Sequence, residues 1–150
     1  MSGGLFHIVL VEDAEPDVFL VREALQQSGL KFELHVLDDG EKAVEFITRL
    51  DLESDEGLFR PDLFLLDLNL PRENGAQVLA RMRRSVSCAR VPVLIVTSSD
   101  SPGDKAQAMR LGATQYFRKP SQLDEFLKLG PVVRSLLEGR DLDVRAQGTA

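Results

Sequence analysis

The chain has 150 residues, 43% hydrophobic and 28% charged, which suits one folded domain with a sizeable core and excludes a disordered chain. A formal net charge of −6 argues against nucleic acid as the main partner, and no apolar run approaches the ~20 residues of a membrane span. The N-terminus lacks the basic start and long apolar stretch of a signal peptide. Cys88 is the single cysteine, so no disulfide can form within the chain, and a cytoplasmic location is expected.

Apolar runs of strand length alternate with segments of helical period. Strands are expected at 5–11, 32–37, 63–66, 91–96 and 115–117, with helices near 16–28, 40–50, 75–84, 102–110 and 122–138. Strands apolar throughout and separated by helices predict an α/β fold, a parallel sheet covered on both faces. Pro16 can open the first helix and Gly29 can close it. Ser101-Pro102-Gly103-Asp104 reads as cap, proline and first-turn acid, with Gly112 as the stop. Ser121-Gln122-Leu123-Asp124 has the form of a capping box. The acidic loop 51–60 reads as a surface insertion, and Arg81-Met82-Arg83-Arg84 as a solvated helix face rather than a binding patch. One domain is expected over 1–138, followed by a polar tail, 139–150, without clear period.

In open parallel sheets ligands sit beyond the carboxyl ends of the strands. There the chain places Glu12-Asp13 after the first strand, Asp67 with Leu68-Asn69 after the third, Thr97 after the fourth and Arg118-Lys119-Pro120 after the fifth. Three adjacent carboxylates repel unless a cation joins them, and a hard ion such as Mg²⁺ suits oxygen ligands. Asp67, held by a buried strand, can act as a nucleophile, while Lys119 and Thr97 can bind phosphoryl oxygens. The set predicts a phosphoryl-transfer site. His7 and His35 fall within strands and read as packed or surface histidines rather than phosphodonors.

The chain resembles the receiver domains of two-component response regulators, over about residues 5–138. The resemblance rests on Ile8-Val9-Leu10-Val11-Glu12-Asp13, Leu65-Leu66-Asp67-Leu68-Asn69-Leu70-Pro71, Val96-Thr97-Ser98 and Gly112-Ala113-Thr114-Gln115-Tyr116-Phe117-Arg118-Lys119-Pro120. It implies a flavodoxin-like three-layer sandwich with a five-stranded parallel sheet in the order 2-1-3-4-5, an order already familiar from a chemotaxis receiver. It implies Asp67 as phosphoacceptor and Asp13, Asp67 and the Asn69 carbonyl as Mg²⁺ ligands, with Glu12 acting through a water. It further implies Thr97 and Tyr116 as a switch pair, Lys119 on the phosphoryl group and a cis Lys119-Pro120 peptide. The stretch Val11-Glu12-Asp13-Ala14-Glu15-Pro16-Asp17-Val18 and the long loop before the third strand look more narrowly like regulators partnered with bacterial phytochrome histidine kinases.

The implied function is a phosphorelay response regulator: a switch protein fed by a sensor histidine kinase and read by a downstream protein target. It is not a turnover enzyme on this reading, and transfers and loses only its own phosphoryl group. A haloacid-dehalogenase-type phosphatase would need a second Asp where Asn69 stands. A flavodoxin would need phosphate donors where Glu12-Asp13 stands. An interaction module without phosphorylation would have no use for the intact acid cluster, Thr97 and Lys119. With no output domain recognised, the signal is expected to leave by protein contact. In the last helix Leu129, Val132 and Leu136 widen the apolar arc beyond what one sheet covers, which predicts a homodimer or partner surface there. Gly130-Pro131 should kink or restart that helix.

Overall fold

The computed structural model describes residues 4–52 and 59–148, with the backbone alone for 140–148. Strands β1 (Phe6–Val11), β2 (Phe32–Leu37), β3 (Leu63–Leu66), β4 (Val93–Thr97) and β5 (Gln115–Arg118) form one parallel sheet in the order β2-β1-β3-β4-β5. Every residue of β3 and β4 is buried, as central strands covered on both faces require, whereas the edge strands β2 and β5 hold no fully buried residue. The helices α1 (Glu15–Gln27), α2 (Gly40–Leu52), α3 (Gly75–Arg83), α4 (Pro102–Arg110), α5 (Leu123–Phe126) and α6 (Leu129–Gly148) supply the outer layers. Among the described residues no helix is long and apolar enough to cross a membrane.

Alternate residues of each strand point to opposite faces, so one sheet serves two cores. Val9, Val11, Phe64, Leu66, Val93 and Ile95 meet Phe46 and Ile47 of α2 and Val78, Leu79 and Met82 of α3. Ile8, Leu10, Leu63, Leu65, Leu94 and Val96 meet Val21 and Leu25 of α1, Phe126 of α5 and Leu129, Val133 and Leu137 of α6. The three-layer sandwich and its strand order agree with expectation.

The helix ends show where local rules held. Ser101 caps α4 by accepting from the Asp104 amide at 3.3 Å, and Gly29 and Gly112 take positive φ of 80° and 106° just beyond α1 and α4. A full capping box joins Asn74 and Gln77 at the start of α3. The Ser121-Gln122-Leu123-Asp124 box is absent: Gln122 is the cap of α5 and makes no side-chain bond, because this helix lasts a single turn. The basic stretch is not simply solvated either. The Arg83 guanidinium donates to the carbonyls of Cys88, Ala89, Val91 and Gly112, and Arg81 pairs with Asp51 at 3.1 Å. The expected insertion 51–60 begins inside α2, and its residues 53–58 lie outside the described ones.

The last helix departs most. It breaks after Phe126 and restarts at Leu129, which puts Pro131 in a first turn where a missing N–H leaves no bond unmade. The backbone then runs on helically to Gly148, through the segment expected to be an irregular tail. The restart turns Leu129 into the core, where it is 0% exposed, and leaves Val132 and Leu136 half-buried against the same cluster. Arg134 fixes the packing by donating to the Ser28 carbonyl at 2.8 Å. Of the apolar arc that motivated a homodimer, Leu129 is thus covered within the chain and Val132 and Leu136 are partly so. Leu129→Glu should cost more than about 3 kcal/mol by burying an unpaired charge. Leu123→Glu, on a residue 55% exposed, should stay within about 0.5 kcal/mol in the same urea titration.

Candidate functional site

Strand order reverses between β1 and β3, and the predicted residues gather at the carboxyl end of that crevice. Lys119 lies at its centre. Its ammonium donates to Glu12 Oε1 at 2.6 Å, Asp17 Oδ2 at 2.7 Å and Asp67 Oδ2 at 2.9 Å. The second oxygens are held by backbone: Asp67 Oδ1 accepts from the Asn69 amide and Glu12 Oε2 from the Ala14 amide, each at 3.1 Å. Carboxylate oxygens of Glu12, Asp13 and Asp67 all lie within 4.8 Å of one another, with Asp13 exposed and the other two buried.

Asp67 owes its position to close backbone packing as well as to β3. A Cβ on Gly75 would lie 2.3 Å from the Asp67 carbonyl oxygen, so only glycine lets the start of α3 press against the strand end. Between them the loop turns through Arg72 at φ 66°, a conformation that a side chain disfavours.

Thr97 is fully buried at the end of β4, and its Oγ1 has no hydrogen-bond partner. A buried hydroxyl left unpaired costs free energy, so its presence beside the acids marks a place for an incoming oxygen. Strand parity puts Thr97 on the same sheet face as Ile95 and its neighbour Tyr116. The Tyr116 ring packs against the core there, and its hydroxyl donates to the Ser99 carbonyl at 2.9 Å. The predicted site residues therefore gather there except Asn69, which is exposed and contributes its amide rather than its side chain, and Tyr116, whose hydroxyl is engaged by the Ser99 carbonyl. The Lys119-Pro120 peptide is trans, contrary to expectation. Lys119 still reaches the acids, because its amide is anchored to the Thr97 carbonyl at 2.7 Å. Asp17 was missed. It lies in the first turn of α1, and nothing local in sequence announces that the turn carries it onto Lys119.

The charges do not balance, and that is informative. Burial, then the facing Asp67, push the Glu12 carboxyl up to about 7 despite the hydrogen bond from Lys119. Burial pulls Lys119 down, but bonds to Asp17, Glu12 and Asp67 outweigh it and hold the ammonium above the ordinary lysine range. One cation is shared among several anions, and the deepest acid holds its proton more tightly than a free carboxyl. An all-oxygen donor set with excess negative charge fits a hard divalent cation.

A carboxyl raised from 4.5 to about 7 binds protons on folding, so cation-free stability should fall as pH rises through that window. The loss should be on the order of 3 kcal/mol. His35, lowered by burial, works in the opposite sense nearby. The test is therefore the difference between wild type and Glu12→Gln, unfolded in urea with chelator at about pH 5 and about pH 8. Identical pH dependence in the two proteins would count against this account.

Acids and a lysine gathered at the crevice of a β2-β1-β3-β4-β5 sheet define a class, and comparison agrees: residues 8–129 match the model of the response regulator receiver domain, and the chain belongs to that family. Its proteins are phosphorelay signalling switches. Among individual proteins it is similar to the response regulator Rcp1 of Synechocystis sp., 36% identical over 122 residues that make up 81% of this chain and 82% of that one. It also superposes on the phosphorylated cyanobacterial phytochrome response regulator RcpA with a TM-score of 0.79, at 29% identity over 89% of this chain and 94% of that one. The Mn²⁺-bound form of Rcp1 gives 0.76, at 35% identity over 87% and 92%. The bacteriophytochrome response regulator RtBRR gives 0.69, at 34% identity over 83% and 75%.

Proposed function

We propose that the chain accepts a phosphoryl group on Asp67 from the phosphohistidine of a sensor histidine kinase, in the cytoplasm, and passes the signal on by changing a protein-binding surface. The observation that carries this is the convergence of Glu12, Asp17 and Asp67 on the Lys119 ammonium, beside the unpaired Thr97 hydroxyl. In the transfer an Asp67 carboxylate oxygen bonds to phosphorus as the P–N bond breaks. The electron pair stays on the kinase imidazole, which takes up a proton. Lys119 exchanges carboxylate partners for a phosphoryl oxygen, and Thr97 donates its hydroxyl to another.

Asp13, Asp67 and the Asn69 carbonyl would hold a Mg²⁺ ion, with Glu12 acting through a water. The ion would neutralise charge on the phosphoryl oxygens. The donor set on this chain supports that reading, as do the phosphorylated RcpA and Mn²⁺-bound Rcp1 structures. Likeness to RcpA and RtBRR favours a kinase of the phytochrome type. No turnover of an outside substrate is part of the proposal.

Incubation with radiolabelled acetyl phosphate should label the wild type in Mg²⁺ and leave it unlabelled in chelator. Equal labelling in both would overturn the metal role. For the switch, drawing Thr97 toward the phosphoryl group frees space beside Tyr116, and we expect the Tyr116–Ser99 bond to break. A beryllofluoride-bound crystal that kept this bond and an unmoved β4–α4 loop would refute the switch.

A further inference from the structure

At the opposite end of the sheet from Asp67 lies a second cluster that the phosphoryl site does not use. His7 is the second residue of β1 and faces Glu33 across the ladder, and His35 stands two residues further along β2. Strand parity places all three on the face that carries Val9 and Val11. His7 Nδ1 and His35 Nε2 are 3.0 Å apart, and Glu33 Oε1 is 3.6 Å from the same His35 nitrogen. One donor atom from each of the three lies within 4.8 Å of the others.

We propose that His7 Nδ1, His35 Nε2 and the Glu33 carboxylate form a binding site for a divalent transition-metal ion of the Zn²⁺ class, linking β1 to β2. The two imidazoles are borderline donors that favour such ions over Mg²⁺, the carboxylate supplies charge, and three protein ligands leave room for water. Without metal, one ring must place a proton between the two nitrogens. With metal, that ring carries its proton on its other nitrogen, and both lone pairs point inward. Burial lowers His35 from the usual imidazole value, a shift toward the form that can ligate. The rings are also fixed in orientation. Phe59 stacks on His35 with ring centres 3.6 Å apart and on His7 at 5.1 Å, and the His7 amide is held by Asp62 at 2.8 Å. Preset ligands of this kind lose little entropy on binding.

The test is calorimetric titration of the tag-free 150-residue chain with Zn²⁺ in saturating Mg²⁺, which occupies the acidic site first. Wild type should show one saturable Zn²⁺ site and a raised thermal midpoint. His35→Gln and His7→Gln should each weaken it by about 100-fold or more, beyond the effect of losing an outer-shell partner. Asp67→Asn should leave it unchanged. Co²⁺ in place of Zn²⁺ should give visible absorption of a nitrogen-coordinated ion, which reads the wild type alone should a variant fail to fold. No saturable site, an undiminished site in either glutamine variant, or loss of the site in Asp67→Asn would overturn the proposal.

Discussion

Asp67→Asn is expected to reduce phosphoryl uptake to background, from acetyl phosphate and from kinase alike. An amide nitrogen has no free lone pair to attack phosphorus, and its oxygen is a far weaker nucleophile than a carboxylate. The substitution is nearly isosteric. Its effect on folding should be modest and in the opposite direction, since it removes one anion from a crowded set: Asp67 shares the Lys119 ammonium with Glu12 and Asp17. Loss of labelling together with equal or higher urea resistance is therefore the combined signature. A variant that still labels stoichiometrically would move the acceptor elsewhere, and peptide mapping would find it.

Gly40→Val should have the largest effect on stability. A Cβ at Gly40 would lie 1.7 Å from the Glu73 carbonyl oxygen and 2.5 Å from its carbon, both backbone atoms. No side chain can swing aside to relieve that contact. The loop from β3 to α3 must move, and the bond from the Gly40 amide to the Pro71 carbonyl at 3.2 Å goes with it. We expect a loss of about 3 kcal/mol or more. The same loop runs on from Asp67, so phosphoryl uptake should slow in whatever fraction remains folded. Urea titration with labelling on one sample measures both, and a cost below about 1 kcal/mol would show that the loop yields easily.

Much of this architecture could be read from the chain because its signals are local. β2 and β3 fall on the residues expected, since Phe32–Leu37 and Leu63–Leu66 are short apolar runs closed by acids or turns. Edges of β4 and β5 shifted by one or two residues, where pairing rather than composition sets the end. The acids and Lys119 were legible because each directly follows a strand. Asp17 was not, for its role depends on how α1 leans over the crevice. The histidine pair was passed over for the same reason: each ring alone is unremarkable, and only the parallel register brings them together. Leu129 lies in the core because the helix breaks ahead of Gly130-Pro131, where the interruption was expected, and the earlier restart resets the phase. The trans Lys119-Pro120 peptide corrects an expectation that came from family likeness rather than from these residues.

The ammonium of Lys119 has one more consequence, for how the protein comes into being. Small metalloproteins whose ligands have no other counter-ion stay unfolded until metal arrives. Here the chain carries its own cation, tethered at the end of β5 and bonded to three carboxylates drawn from β1, α1 and β3. The newly made polypeptide can close its sheet with part of that charge already offset. On the proposed reading a metal ion would enter a finished fold by displacing the lysine, so chelation should silence the protein without unfolding it.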